Sequence, residues 1–236
     1  MSLEFLDFLY CVSGIPGAAI AAVCGALCFV RAQTRKGGYP FFILLGGCFA
    51  CVFLCNSFFF LTWLFLDYPY IVSPGDLSWV GALFFLITAD MGLMDEWTVE
   101  QTQAARKYKL SALTAPAVLS VFNIIFISIN PEIAVNYILY YIPTAILSYY
   151  ALFLFLAGSK GGVQTNFQRY HLFTLIWLAF QLLHDLFSTL EWGRYGFSVP
   201  SSAQWLVLAF HTTAFVWLIA ITAPGLYFAA RKGADA

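Results

Sequence analysis

The chain has 236 residues, 61% of them hydrophobic, 19% aromatic and only 10% charged, with a mean hydropathy of +0.82. Ordinary soluble domains carry about 25% charged residues, so a water-facing surface is excluded and a membrane protein is implied. A formal net charge of −1 offers no basic field for nucleic acid, and the apolar content lies far above the disordered range.

A spanning helix needs about 20 mostly apolar residues, each adding about 1.5 Å against a hydrocarbon core of about 30 Å. Seven segments reach that length, near 8–30, 40–66, 77–96, 110–129, 133–157, 170–190 and 202–229. They predict an all-α membrane protein, a single domain over 1–236 built as a bundle of seven transmembrane helices. Turn chemistry fills the breaks: Gly37-Gly38, Ser73-Pro74-Gly75, Asn130-Pro131, Gly161-Gly162 and Val199-Pro200-Ser201.

Basic residues set the expected orientation, because cytoplasmic loops are enriched in them. Arg31, Arg35 and Lys36 follow the first span, Arg106, Lys107 and Lys109 the third, Lys160 and Arg169 the fifth, Arg231 and Lys232 the seventh. Ten of the eleven cations thus share one side, with Arg194 alone on the other beside Glu4, Asp7, Asp67, Asp76, Glu132 and Glu191. The N-terminus is expected outside or in the lumen and the C-terminus in the cytosol. The setting is multi-pass, in the endoplasmic reticulum or the plasma membrane.

Ionisable side chains inside a bilayer cost about 2.5–3.5 kcal/mol on insertion scales, so each needs a reason. Asp90 lies in the third span, His171 near the cytosolic start of the sixth, His184 and Asp185 near its outer end, and His211 inside the seventh. Asn56, Asn123 and the pair Tyr140-Tyr141 reach similar outer-half depths, and Gln181 stands one turn before His184 and Asp185. One reading is a polar site in the outer half where Asp185 or His184 moves a proton. The other is a set of interhelical hydrogen bonds that hold the helices in register. A carboxyl flanked by His184 favours the first, while Asn56, Asn123 and Gln181 taken singly favour the second. Asp90 either joins such chemistry or reaches the cytosolic interface beside Asp95 and Glu96.

No cofactor is implied. His171 and His184 lie about 20 Å apart along one helix, and no zinc-protease motif occurs. His184 and His211 as axial haem ligands have no supporting motif. All six cysteines fall in the first two spans: Cys11, Cys24, Cys28, Cys48, Cys51 and Cys55. Their spacing would suit a soft metal or a redox pair, but they read as small packing residues beside Gly17, Ala18, Ala21 and Ala22. Every lysine lies at or beyond the cytosolic boundary, which excludes a retinal Schiff base.

The 25 Phe, 13 Tyr and 7 Trp exceed what interfacial belts need. Tyr68, Tyr70, Trp79, Trp97, Trp192 and Trp205 fit such belts, and runs such as Phe58-Phe59-Phe60 face lipid or packing partners. A remainder lining a cavity would stabilise a cationic intermediate. With one carboxyl donor, such a cavity suits protonation-initiated rearrangement of an isoprenoid.

In the second span, Cys55-Asn56-Ser57-Phe58-Phe59-Phe60 begins like Cys-Asn-x-x-Trp-Glu. That pattern, the size and the minimal loops resemble the fungal integral-membrane terpene cyclases of meroterpenoid pathways. In that family the Glu is thought to be the acid; here Phe59 and Phe60 replace the Trp and Glu. The resemblance therefore implies an acid elsewhere, at Asp185 or Asp90.

The expectation is an integral-membrane enzyme performing acid–base cyclisation or isomerisation on a lipophilic small molecule, with membrane lipids as further partners and no nucleic acid. Asp185, assisted by His184 and His211, is the expected acid, with Asp90 as the other candidate. Asn56, Asn123, Tyr140, Tyr141 and Gln181 would line the pocket. The alternatives are a seven-helix ligand-binding or signalling protein without retinal, a small transporter, or a subunit of a membrane complex. Short basic loops offer little output surface, and Pro116, Pro143 and Pro224 form no matched pairs across two halves.

Overall fold

A computed structural model describes residues 3–34, 39–65, 72–96, 103–131, 134–157 and 164–195. The elements among them are all α-helices: α1 (Leu3–Thr34), α2 (Tyr39–Phe65), α3 (Pro74–Glu96), α4 (Gln103–Ala112), α5 (Thr114–Ile129), α6 (Ala134–Ala157) and α7 (Gln164–Tyr195). The first six predicted spans fall on these helices. The seventh, at 202–229 and carrying His211, lies outside the described residues. Four stretches are long and apolar enough to cross a membrane: Gly14–Thr34, Pro40–Thr62, Arg106–Ile129 and Ala134–Ala157. This is a membrane protein.

Small residues bring α1 against α2. Gly14, Ala18, Ala21, Gly25, Cys28 and Ala32 are buried along α1, a spacing that alternates four and three and keeps one seam on one partner. Phe42, Leu45, Phe49, Val52 and Asn56 are buried at the complementary spacing on α2. A methyl group on Gly25 would lie 3.3 Å from Cβ of Phe49, so the backbones are nearly as close as they can be. Gly46 and Gly47 serve a different purpose. The ring of Phe29 lies over the first and the ring of Phe85, from α3, over the second, where an added Cβ would fall 2.9 and 2.7 Å from ring carbons.

From α2 the bundle continues through α3 to α6 and α7, with α4 laid on α6 and α5 on α6 and α7. Phe42, Leu45 and Phe49 of α2, Leu83 and Leu86 of α3, Leu147 of α6, and Tyr170 and Trp177 of α7 form one buried cluster. Lipid is as apolar as these side chains, so close packing rather than water exclusion holds them together. Val23, Leu27 and Val30 of α1 and Val118, Val121, Ile124 and Ile125 of α5 are exposed, as lipid-facing surfaces require.

The expected fourth span at 110–129 is interrupted, and Pro116 explains where. A proline lacks the N–H that would bond the carbonyl four residues back, and its ring crowds that carbonyl. The residue four back is Ala112, the last of α4. Leu113 then forms a tightened turn, donating its N–H to Leu110 at 3.2 Å, before Ala117 donates to Leu113 at 3.1 Å and α5 resumes.

Candidate functional site

The Ser73-Pro74-Gly75 turn is also a helix cap. Ser73 Oγ accepts the N–H of Asp76 at 3.2 Å, while Asp76 Oδ2 accepts the Ser73 N–H and hydroxyl, each at 2.7 Å. This reciprocal arrangement satisfies donors that the first turn of α3 would leave unpaired. The other carboxylate oxygen, Oδ1, accepts the hydroxyl of Tyr140 from α6. Asp76 is buried. The signal that would have found it was a serine three residues before an acid at the head of an apolar run.

Asp185 sits beside this cap. Gln181 Nε2 donates to Asp185 Oδ1 at 2.8 Å, the one-turn partnership expected from their spacing, and both side chains are half-buried. Thr189 donates to the Asp185 backbone carbonyl at 2.6 Å and shares a 2.5 Å hydrogen bond with the hydroxyl of Tyr137. That contact ties α7 to α6. Tyr140 lies within electrostatic reach of Asp185 and Cys55 as well as Asp76, and Tyr137 within reach of Asp185.

Cys55 is also close to Asp76. The Cys55-Asn56 pair of α2 therefore meets its nearest carboxylate on α3 rather than on its own helix. Asn56 is buried, donating its amide to the Val52 carbonyl at 2.8 Å, and its Oδ1 lies 3.4 Å from where a Gly14 side chain would begin. Four helices thus supply polar groups to one region: Cys55 and Asn56, Asp76, Tyr137 and Tyr140, and Gln181 and Asp185.

Tyr141 does not join them. One residue along a helix turns the side chain by about 100°, and the Tyr141 hydroxyl instead pairs with Ser120 of α5 at 2.5 Å. Asn123, half-buried, is three residues beyond Ser120 and shares its face of α5. His184 occupies α7 next to Asp185, but its side chain is outside the described residues, as is all of His211.

Asp90 lies apart from the Asp76, Tyr140 and Asp185 region. It is 0% exposed and faces His171, also 0% exposed, with Oδ1 and Nδ1 3.8 Å apart. Asp90 is 14 residues along α3 from Asp76, and His171 is 14 residues along α7 from Asp185. At about 1.5 Å per residue, about 21 Å separates the two polar regions along each helix. Asp90 and Asp185, the two candidate acids, therefore lie in separate regions of the bundle.

Cys28, Cys48 and Cys55 are buried, Cys24 and Cys51 half-buried, and all five are free thiols. Among the described residues, no three His, Cys, Asp or Glu side chains gather as a metal site. No known protein family, characterised protein or solved structure matches this chain.

Proposed function

We propose that this is a seven-helix, multi-pass membrane enzyme, N-terminus outside or lumenal and C-terminus cytosolic, that performs acid–base isomerisation or cyclisation on a lipophilic substrate such as an isoprenoid. The cation distribution supports the orientation. The observation that carries the chemistry is the meeting of Asp185, Tyr140 and Asp76 from three helices in a setting poor in charge.

The two carboxyl groups have different parts. Asp76 accepts three hydrogen bonds and is buried, so it holds the α3 cap and orients the Tyr140 hydroxyl. Asp185 is half-buried beside the neutral amide of Gln181, so it is the carboxyl left to act on a substrate. Asp185 donates its proton to a double bond of the substrate, and the resulting cation is stabilised by ring faces. Phe126 and Tyr137, with ring centroids 5.6 Å apart, and the Phe58 and Phe59 rings over Gly75 are candidates. Loss of a proton from the neighbouring carbon back to the carboxylate completes an isomerisation with no net proton change. His184 and His211 assist that transfer, and Asn56 and Gln181 shape the pocket.

Native mass spectrometry of the purified full-length protein, followed by incubation with linear isoprenoids, tests this reading. A bound lipophilic molecule and its conversion are expected, with conversion lost in Asp185→Asn. A preparation that binds only bulk membrane lipid and converts no isoprenoid overturns it.

A further inference from the structure

The Asp90–His171 pair lies outside the chemistry proposed for the Asp185 region, and its geometry is unlike that of a structural contact. Both side chains are completely buried, yet among the described residues neither oxygen of Asp90 and neither ring nitrogen of His171 has a hydrogen-bond partner. A buried polar group without a partner loses its hydration and gains nothing in return, and the loss is larger for a charged one. Two such groups face one another at 3.8 Å, just beyond hydrogen-bonding range. A small rotation of either side chain closes that gap around one proton.

Among the described residues, no charged group compensates either member of the pair. On α7, Tyr170 stands edge-on to His171 with ring centroids 4.9 Å apart, and is within electrostatic reach of Asp90 and Cys48. Cys48 of α2 is buried, within electrostatic reach of Tyr170 and of Cys28 on α1. Leu86 and Ile87 of α3 and Leu147 of α6 belong to the same buried cluster as Tyr170. These neighbours are neutral groups. The balance of charge therefore rests on the proton: with it the pair is neutral overall, without it a bare carboxylate remains.

We propose that Asp90 and His171 form a second site in this protein, a dyad that binds and releases one proton at the end of the bundle opposite Asp185. Asp90 is six residues from the end of α3 and His171 seven from the start of α7, which puts both about 10 Å from the same end. The proton passes between the aqueous phase at that end and the space between Asp90 Oδ1 and His171 Nδ1. No other bond changes and nothing is oxidised or reduced. Toward the other end, Trp79 and Trp177 meet with ring centroids 6.0 Å apart, and Trp177 and Leu83 are buried.

The chain has three histidines, so nitrogen-labelled imidazoles of the full-length protein in detergent can be followed individually by NMR. The His184→Asn/His211→Asn double variant leaves His171 as the sole signal. His171 is expected to change protonation with pH, and Asp90→Asn to change its proton affinity by about tenfold or more, as strongly coupled groups require. Asp185→Asn, in the remote region, should leave it unmoved. An imidazole in one protonation state at every pH at which the protein stays folded overturns the proposal, as does indifference to Asp90→Asn. Should Asp90→Asn fail to fold, infrared spectra of aspartate-labelled wild-type protein decide the matter. A carboxyl band that changes at the same pH as the His171 imidazole supports the dyad, and separate or absent changes overturn it.

Discussion

Tyr140, on α6, donates its hydroxyl to the carboxylate of Asp76, 64 residues earlier in the chain, and Asp76 is the residue that caps α3. A local device for starting one helix is thereby joined to the face of another. The start of α3 and the first turns of α6 should respond to mutation as one unit.

Asp76→Ala removes the cap and the contact with α6 together, and a loss of about 1–3 kcal/mol is expected. Tyr140→Phe removes only the contact and should cost about 0.5–1.5 kcal/mol. Because both delete the same hydrogen bond, the double variant should lose clearly less than the two losses added. Unfolding of the purified protein in detergent measures all three. Strict additivity would show that the bond contributes nothing.

Glycine positions should sort by what lies above them. An Ala at position 47 puts a methyl group 2.7 Å from the Phe85 ring, so Gly47→Ala should destabilise by about 1–3 kcal/mol. Phe85→Leu should recover part of that loss by vacating the space. Gly92, also within a helix, has nothing within 4 Å. Gly92→Ala should be neutral or stabilise by up to about 1 kcal/mol, since it removes only backbone freedom. Equal effects at the two positions would show that the close α2–α3 approach does not govern them.

Much of this arrangement is legible in the residues, and the parts that are not share a cause. Apolar run length and the Gly, Pro and Asn breaks locate the helices. The one-turn spacing of Gln181 and Asp185 foretells their hydrogen bond, and the small residues of α1 foretell its seam. Depth along a helix can be counted, but rotation about its axis cannot be counted across helices. Tyr140 and Tyr141 therefore look alike in sequence and face different partners. Asp90 and His171 have matching heights in sequence, but only packing shows that they face each other. The break at Leu113 is displaced one turn upstream of the proline responsible for it. Asp76 was obscured by a turn motif that also encodes a cap.

The topology can be read without disturbing the bundle. The Arg31–Gly38 segment carries three cations and the Asp67–Asp76 segment none. With a cysteine placed at Gly37 or at Tyr68, an impermeant thiol reagent applied to intact cells should label only Tyr68→Cys. Gly37→Cys should label after permeabilisation. The reverse pattern would invert the orientation.

Asp185→Asn isolates the proton from the architecture. The Asn side-chain oxygen can still accept from Gln181, as Asp185 Oδ1 does at 2.8 Å. Thr189 binds the backbone carbonyl of residue 185, so its link to Tyr137 does not depend on the side chain at all. Stability should therefore change by less than about 1 kcal/mol, within the range of substitutions that leave packing and hydrogen bonding in place. The variant can no longer supply a carboxyl proton, so substrate conversion should fall by about a hundredfold or more, the scale of a lost general acid. Gln181→Leu makes the opposite change: the carboxyl stays and its orienting amide is lost, so a partial fall in conversion is expected. A well-folded Asp185→Asn protein that retains full conversion would make Asp185 an architectural residue and remove the main support for acid–base chemistry at this site.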